Sequence, residues 1–187
     1  MKLIFTSIFA LITLTASSLL AAPTASSAEK VEPLLVGSSM PSVKLKNLSS
    51  KSVDLAELSK GKSTLVVFYR GSWCPYCNRH LQALGQSKAE LDKMGMQIVA
   101  ISLDSAKSLN KSLEKNKIDY TLLSDAHLNA AKAFGIAFNS GRRGILPVPS
   151  VFIFDAKGTM TFQYVNPNYK VRLDKGILMA AVKAATK

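Results

Sequence analysis

Cys74 and Cys77 are the only cysteines of the chain and stand three positions apart, in the run Trp73-Cys74-Pro75-Tyr76-Cys77. Two thiols at this spacing can cycle between dithiol and disulfide. One sulfur attacks a partner, and the other resolves the intermediate. The thiolate is the nucleophile. Residues three apart on a helix lie about 5–6 Å from each other, a span that suits a disulfide. Pro75 fits the first helical position, where its missing N–H costs little. Cys74 then falls at or before the helix cap, where backbone N–H groups and the helix dipole favour a negatively charged sulfur. Arg70, Arg79 and His80 add positive charge that pushes a thiol toward ionisation. A permanent structural bridge is a weak alternative, because so short a loop removes little unfolded-chain entropy. A zinc site is another, but His80 and His127 do not complete a usual ligand spacing.

Elements that could position this pair are legible around it. Thr64 to Tyr69 (TLVVFY) reads as a strand buried on both faces, broken by Gly71-Ser72. From Cys77 onward, Leu81, Leu84, Lys88, Leu91 and Met94 step by three and four, which predicts an amphipathic helix ended by Gly95. Gln97 to Leu103 is a second apolar strand, and Ser105 can cap a helix carrying Leu109 and Leu113. Tyr120 to Leu123 is a short apolar piece. Ser124-Asp125 then caps a helix with Leu128, Ala131 and Phe134, closed by Gly135. Val148 to Asp155 is a third strong strand, turned by Ala156-Lys157-Gly158 into Met160 to Val165. Leu173 to Ala185 predicts a terminal helix. The pattern predicts an α/β domain with a parallel early sheet and a hairpin adding antiparallel strands at one side. Glu29 to Ser52 reads as a lead-in, and Gly141 to Gly144 as a basic turn.

At 187 residues with 48% apolar and 19% charged composition, the chain can close one core and is neither disordered nor fibrous. Met1-Lys2, an uncharged apolar stretch from Leu3 to Leu20 and a small-residue segment ending at Ala28 have the order of a secretory signal peptide. Small residues at Ser26 and Ala28 place the cut after Ala28 rather than after Ala22, which Pro23 follows. The expectation is a leader over residues 1–28 and one domain over 29–187, exported to the periplasm or secreted. Contact with a membrane would come only through an uncleaved leader. Cleavage leaves 159 residues and a charge of +11 in place of +12. The lysines are scattered, so this charge predicts solubility, and export argues against a nucleic-acid partner.

On the Phe68-Tyr69-Arg70-Gly71 strand end, the Trp73-to-Cys77 motif and the Val148-to-Asp155 strand with Gly158 behind it, the chain resembles the thioredoxin superfamily, in its peroxiredoxin-like branch. That resemblance implies a thioredoxin-like fold, a central mixed sheet flanked by helices, and a redox-active centre with antioxidant activity. It implies a cis proline at Pro149, leaving the Val148 backbone free to pair with a substrate peptide. Peroxiredoxins carry a Pro seven residues and a Thr or Ser three residues before the peroxide-attacking Cys, and an Arg at a later strand. Aligned on Cys77, those positions hold Arg70, Cys74 and Pro149. The expectation is an exported thiol oxidoreductase acting through Cys74 and Cys77 without metal or organic cofactor. Trp73, Tyr76, Val148, Pro149 and Arg70 would bind the substrate, a disulfide-bearing protein or a peroxide, and a thiol partner would supply reductant. No carboxylate lies in Thr64 to Tyr69, which together with the basic surroundings predicts a stabilised thiolate and an oxidising pair. Two alternatives stand beside this one: a peroxiredoxin proper with Cys77 attacking peroxide, and a non-enzymatic copper carrier using the thiols as soft ligands. Tyr169 and Arg172 receive no role.

Overall fold

The apolar run before the cysteines forms the centre of a seven-stranded sheet in the computed structural model, which describes residues 23–186. In chain order the elements are β1 (Lys44–Lys46), β2 (Ser52–Asp54), α1 (Leu55–Ser59), β3 (Ser63–Phe68), α2 (Pro75–Lys93), β4 (Met96–Ser102), α3 (Ala106–Asn116) and β5 (Thr121–Ser124). They continue with α4 (Asn129–Ala133), β6 (Ala137–Asn139), β7 (Ile145–Pro147), β8 (Ser150–Phe154), β9 (Met160–Val165) and α5 (Lys175–Ala185). The sheet order is β2-β1-β5-β4-β3-β8-β9. β3, β4 and β5 are parallel, and β8 and β9 add antiparallel members beyond β3. This is the mixed sheet expected from strand–helix alternation followed by a hairpin.

All six residues of β3 are buried, because both sheet faces are covered. Leu65, Val67 and Tyr69 pack on one face with the two cysteines, Leu81 and Leu84 of α2, Leu109 of α3 and Leu178 and Val182 of α5. Val66 and Phe68 point the other way, into a cluster with Leu55 of α1, Ala130 and Ala131 of α4, and Phe134. Phe68, Phe134 and Phe152 meet there with centroids 4.9–6.0 Å apart.

Two short hairpins add to the expected strands. The lead-in contains the β1–β2 hairpin, whose three-residue strands are too short to show alternation: only Leu45 of β1 is buried, between exposed Lys44 and Lys46. The basic turn at Gly141 to Gly144 closes a second hairpin, β6–β7. Asp125 holds α4 from a distance, its carboxylate accepting the N–H groups of Ala130 and Ala131. The expected leader lies outside the described residues up to position 22. Ala25 is docked on β6, its N–H donating to Ala137 O and its O accepting from Asn139 N, both at 2.9 Å. No helix among the described residues is long and apolar enough to cross a membrane.

Candidate active site

The strand-to-helix junction positions the thiols as the residue types dictate. Cys74 is the N-cap of α2 with extended backbone, Pro75 occupies the first turn, and Cys77 lies one turn in. Both are free thiols. Their surroundings differ from expectation. Cys74 and Cys77 are 1% and 0% exposed, part of the core cluster rather than open to solvent. The cap N–H groups of Cys77 and Asn78 go to the Cys74 carbonyl at 3.1 Å, and no side-chain cap bond reaches the Cys74 sulfur. Burial pushes the Cys77 thiol up to about 12, reinforced by its hydrogen bond with Cys74 and only partly opposed by an Arg70 backbone hydrogen bond and the Arg172 charge. Cys77 is therefore a protonated thiol at neutral pH. The stabilised thiolate expected from the absent strand carboxylate and the basic surroundings is not found at Cys77.

The turn between β3 and α2 is locked. Asp104, beyond β4, accepts the Ser72 N–H at 2.7 Å and the hydroxyls of Ser72 and Ser102. Asn78 donates to Ser72 O at 2.9 Å. Gly71 sits at φ +147, and a Cβ there would stand 2.5 Å from the Trp73 ring nitrogen. Gly71→Ala is expected to cost roughly 1–3 kcal/mol in urea unfolding and to displace Trp73 from its stacking partners.

Arginine and aromatic groups alternate around this turn. Arg143 lies 4.3 Å and Arg70 4.9 Å from the Trp73 ring centroid, and Arg70 also lies 4.1 Å from the centroid of Tyr169. Tyr169 meets Tyr76 edge-on at 5.8 Å, and Arg79 lies over Tyr76 at 4.6 Å. Arg70 is buried, its Nε has no partner, and no carboxylate pairs with an arginine among the described residues. The stack places expected Trp73, Tyr76 and Arg70 beside the dithiol and adds Tyr169, which sequence reasoning left without a role.

Arg172 is the larger omission. Its Nη2 stands 3.5 Å from Cys77 Sγ, while Nη1 donates to the carbonyls of Tyr169 and Val171. A guanidinium that also donates to two carbonyls of its own loop sets a positive charge beside the inner sulfur. The missed signal was compositional. Only five of the 24 basic residues are arginines, and four of those five, Arg70, Arg79, Arg143 and Arg172, gather here. Arginine is favoured over lysine where rings are stacked or a planar donor is needed.

Three expectations are corrected. None of the described peptide bonds is cis, so the Val148–Pro149 bond is trans. The Val148 backbone is not free for a substrate: its N–H donates to Ile136 O at 2.9 Å, and its O accepts from Ser150 Oγ at 2.7 Å. Val148 and Pro149 are buried at the sheet end where Ser150 pairs with Phe68, and they act there as scaffold. His80 adds no positive charge. Burial, helped by Arg172, lowers it from 6.5 to about 4. A histidine kept neutral in the fold stabilises it above pH 6.5, and that contribution is lost as pH falls toward 4. Wild type is expected to lose about 2–3 kcal/mol more than His80→Gln between pH 7 and pH 4, measured by urea unfolding.

Beside the dithiol, α2, α5 and the loop before α5 enclose a cleft of about 440 Å³, lined among others by Tyr76, Arg79, His80 and Arg172.

Residues 36–163 match the AhpC/TSA family. The chain is 37% identical over 106 residues, 57% of its length, to a putative peroxiredoxin bcp of Haemophilus influenzae, 68% of which is covered. It is 32% identical over 130 residues, 70% of its length, to the chloroplastic peroxiredoxin Q of Suaeda salsa, 59% of which is covered. The fold superposes on that of Prx3 from Vibrio vulnificus with a TM-score of 0.74 at 20% identity, covering 80% of this chain and 99% of the other. The chain thus belongs to the AhpC/TSA family, a peroxiredoxin-like group of the thioredoxin superfamily.

Proposed function

We propose that the thiol peroxidase chemistry of this family is carried here by Cys74 as nucleophile and Cys77 as resolving thiol. The supporting observation is the asymmetry of the pair. Both are buried, but Cys77 is protonated and hydrogen-bonded to Cys74, while Cys74 occupies the N-cap of α2, at the end of the helix dipole that favours negative charge. The Cys74 thiolate attacks a peroxide oxygen. The S–O bond forms, the O–O bond breaks, and water or an alcohol leaves with a proton. Cys77 then attacks the Cys74 sulfenic acid: the S–S bond forms, the S–O bond breaks, and the departing hydroxide takes the Cys77 proton as water. A thiol reductant restores the dithiol. Both sulfurs are buried, so the first step needs a local opening around the dithiol.

A second reading, Cys77 attacking peroxide directly, is favoured by one observation: the Arg172 guanidinium on its sulfur could hold a peroxide oxygen as well. Thiol–disulfide exchange with a protein substrate uses the same sulfurs. Stopped-flow oxidation by hydrogen peroxide against a protein disulfide separates the two reactions. Peroxide is expected to be the faster oxidant, and the reverse order would make exchange the main activity.

Export through the leader is part of this reading. A cut after Ala28 removes the Ala25 pairing with β6, and a cut after Ala22 keeps it. N-terminal sequencing of fractionated protein distinguishes mature chains starting at Glu29 or Pro23 from an uncleaved cytoplasmic one.

A further inference from the structure

The cleft beside α2 has a composition that the dithiol chemistry does not require. Arg79, Lys170, Arg172 and Lys175 supply four cations to its lining, and no carboxylate lines it. Glu90 pairs with Lys175 at 3.4 Å, which leaves three of the four without an ion-pair partner among the described residues. The Arg172 Nε is buried and unpartnered, an orphaned charged donor in a residue of the cleft wall. Between these cations the surface is aliphatic, from Leu84, Leu173 and Leu178. At about 440 Å³ the cleft falls within the size range of small-ligand sites. An apolar surface flanked by unneutralised guanidinium and ammonium groups is complementary to a molecule with an aliphatic body and an anionic head.

We infer that this cleft binds amphipathic organic carboxylates, whose head group competes with the Cys77 sulfur for the Arg172 guanidinium. Arg172 lines the cleft and touches Cys77 with the same side chain, so one group serves both. A carboxylate is a stronger acceptor for a guanidinium than a neutral thiol, because both partners are ionised. Occupancy therefore draws the guanidinium away from the sulfur and leaves Cys77 less able to ionise. Binding itself does not depend on the proposed peroxidase activity; only the effect on Cys77 rests on that reading.

The test is calorimetric titration of the reduced full chain with decanoate, with octanoate, decanol and acetate as comparisons. Saturable decanoate binding is expected, with affinity changing about two- to fourfold per methylene between octanoate and decanoate. Neither decanol nor acetate should bind, since each lacks one half of the complementarity. Ala83→Trp, which places a large ring in the cleft from an exposed lining position, should abolish binding and leave peroxidase activity unchanged. Lys170→Glu on the exposed rim should weaken it at least threefold, which guards against a misfolded Ala83 variant. In Cys74→Ser protein, saturating decanoate should slow iodoacetamide alkylation of Cys77 several-fold. Absent decanoate binding, equal binding of decanol, undiminished binding by both variants, or unchanged alkylation would each overturn the inference. A failed peroxidase assay with intact decanoate binding would instead count against the proposed function alone.

Discussion

Cys74→Ser protein is expected to lose peroxidase turnover by about three orders of magnitude or more, because no other thiol stands at the helix cap. Cys77→Ser should behave differently. Cys74 remains to take oxygen from peroxide, so one oxidation per molecule survives as a burst, and turnover then stops at a sulfenic acid with no partner. The contrast comes from position: burial keeps the inner sulfur protonated in spite of the Arg172 charge, and the outer sulfur stands at the helix cap. A burst in Cys77→Ser and none in Cys74→Ser, read by rapid-mixing fluorescence of the single tryptophan, Trp73, supports these roles. The opposite pattern assigns the attack to Cys77.

Arg172→Gln should slow disulfide formation between the sulfurs by about ten- to a hundredfold, the worth of one hydrogen bond to a charged group. The guanidinium is the only side-chain cation within hydrogen-bond distance of Cys77 Sγ among the described residues, and it stabilises the charge that Cys77 develops as it attacks. The first oxidation of Cys74 should change far less. Arg172→Lys should recover little, since a lysine cannot keep two carbonyls and a sulfur at once as the planar group does. Equal slowing of both steps would mean that the variant has merely disturbed the Tyr169 loop.

The sequence shows the scaffold of this site more readily than its environment. A proline one residue after Cys74 and an all-apolar run before it are local signals, and they correctly place the pair at a strand-to-helix junction. The helix capped by Ser105 and the hairpin at Gly158 are legible for the same reason, since each depends on neighbours in the chain. What sits on the sulfurs depends on contacts between distant segments. Arg172 is 95 positions from Cys77, and Asp104 is 32 from Ser72. No periodicity reports such pairs. A cap position by itself says nothing of access: both faces of the sheet are covered, and the thiols at the cap are buried with them. The expectation for Val148 depends on a cis bond at Pro149; with a trans bond, Val148 keeps its place against Ile136.

The most direct measurement is intact-mass and peptide analysis of the reduced wild-type protein after one equivalent of hydrogen peroxide. The account predicts a loss of two hydrogens in a single peptide carrying a Cys74–Cys77 disulfide, reversed by a dithiol reductant. Protein that stays reduced, or that gathers sulfinic acid on one cysteine with no bond between the two, would contradict it.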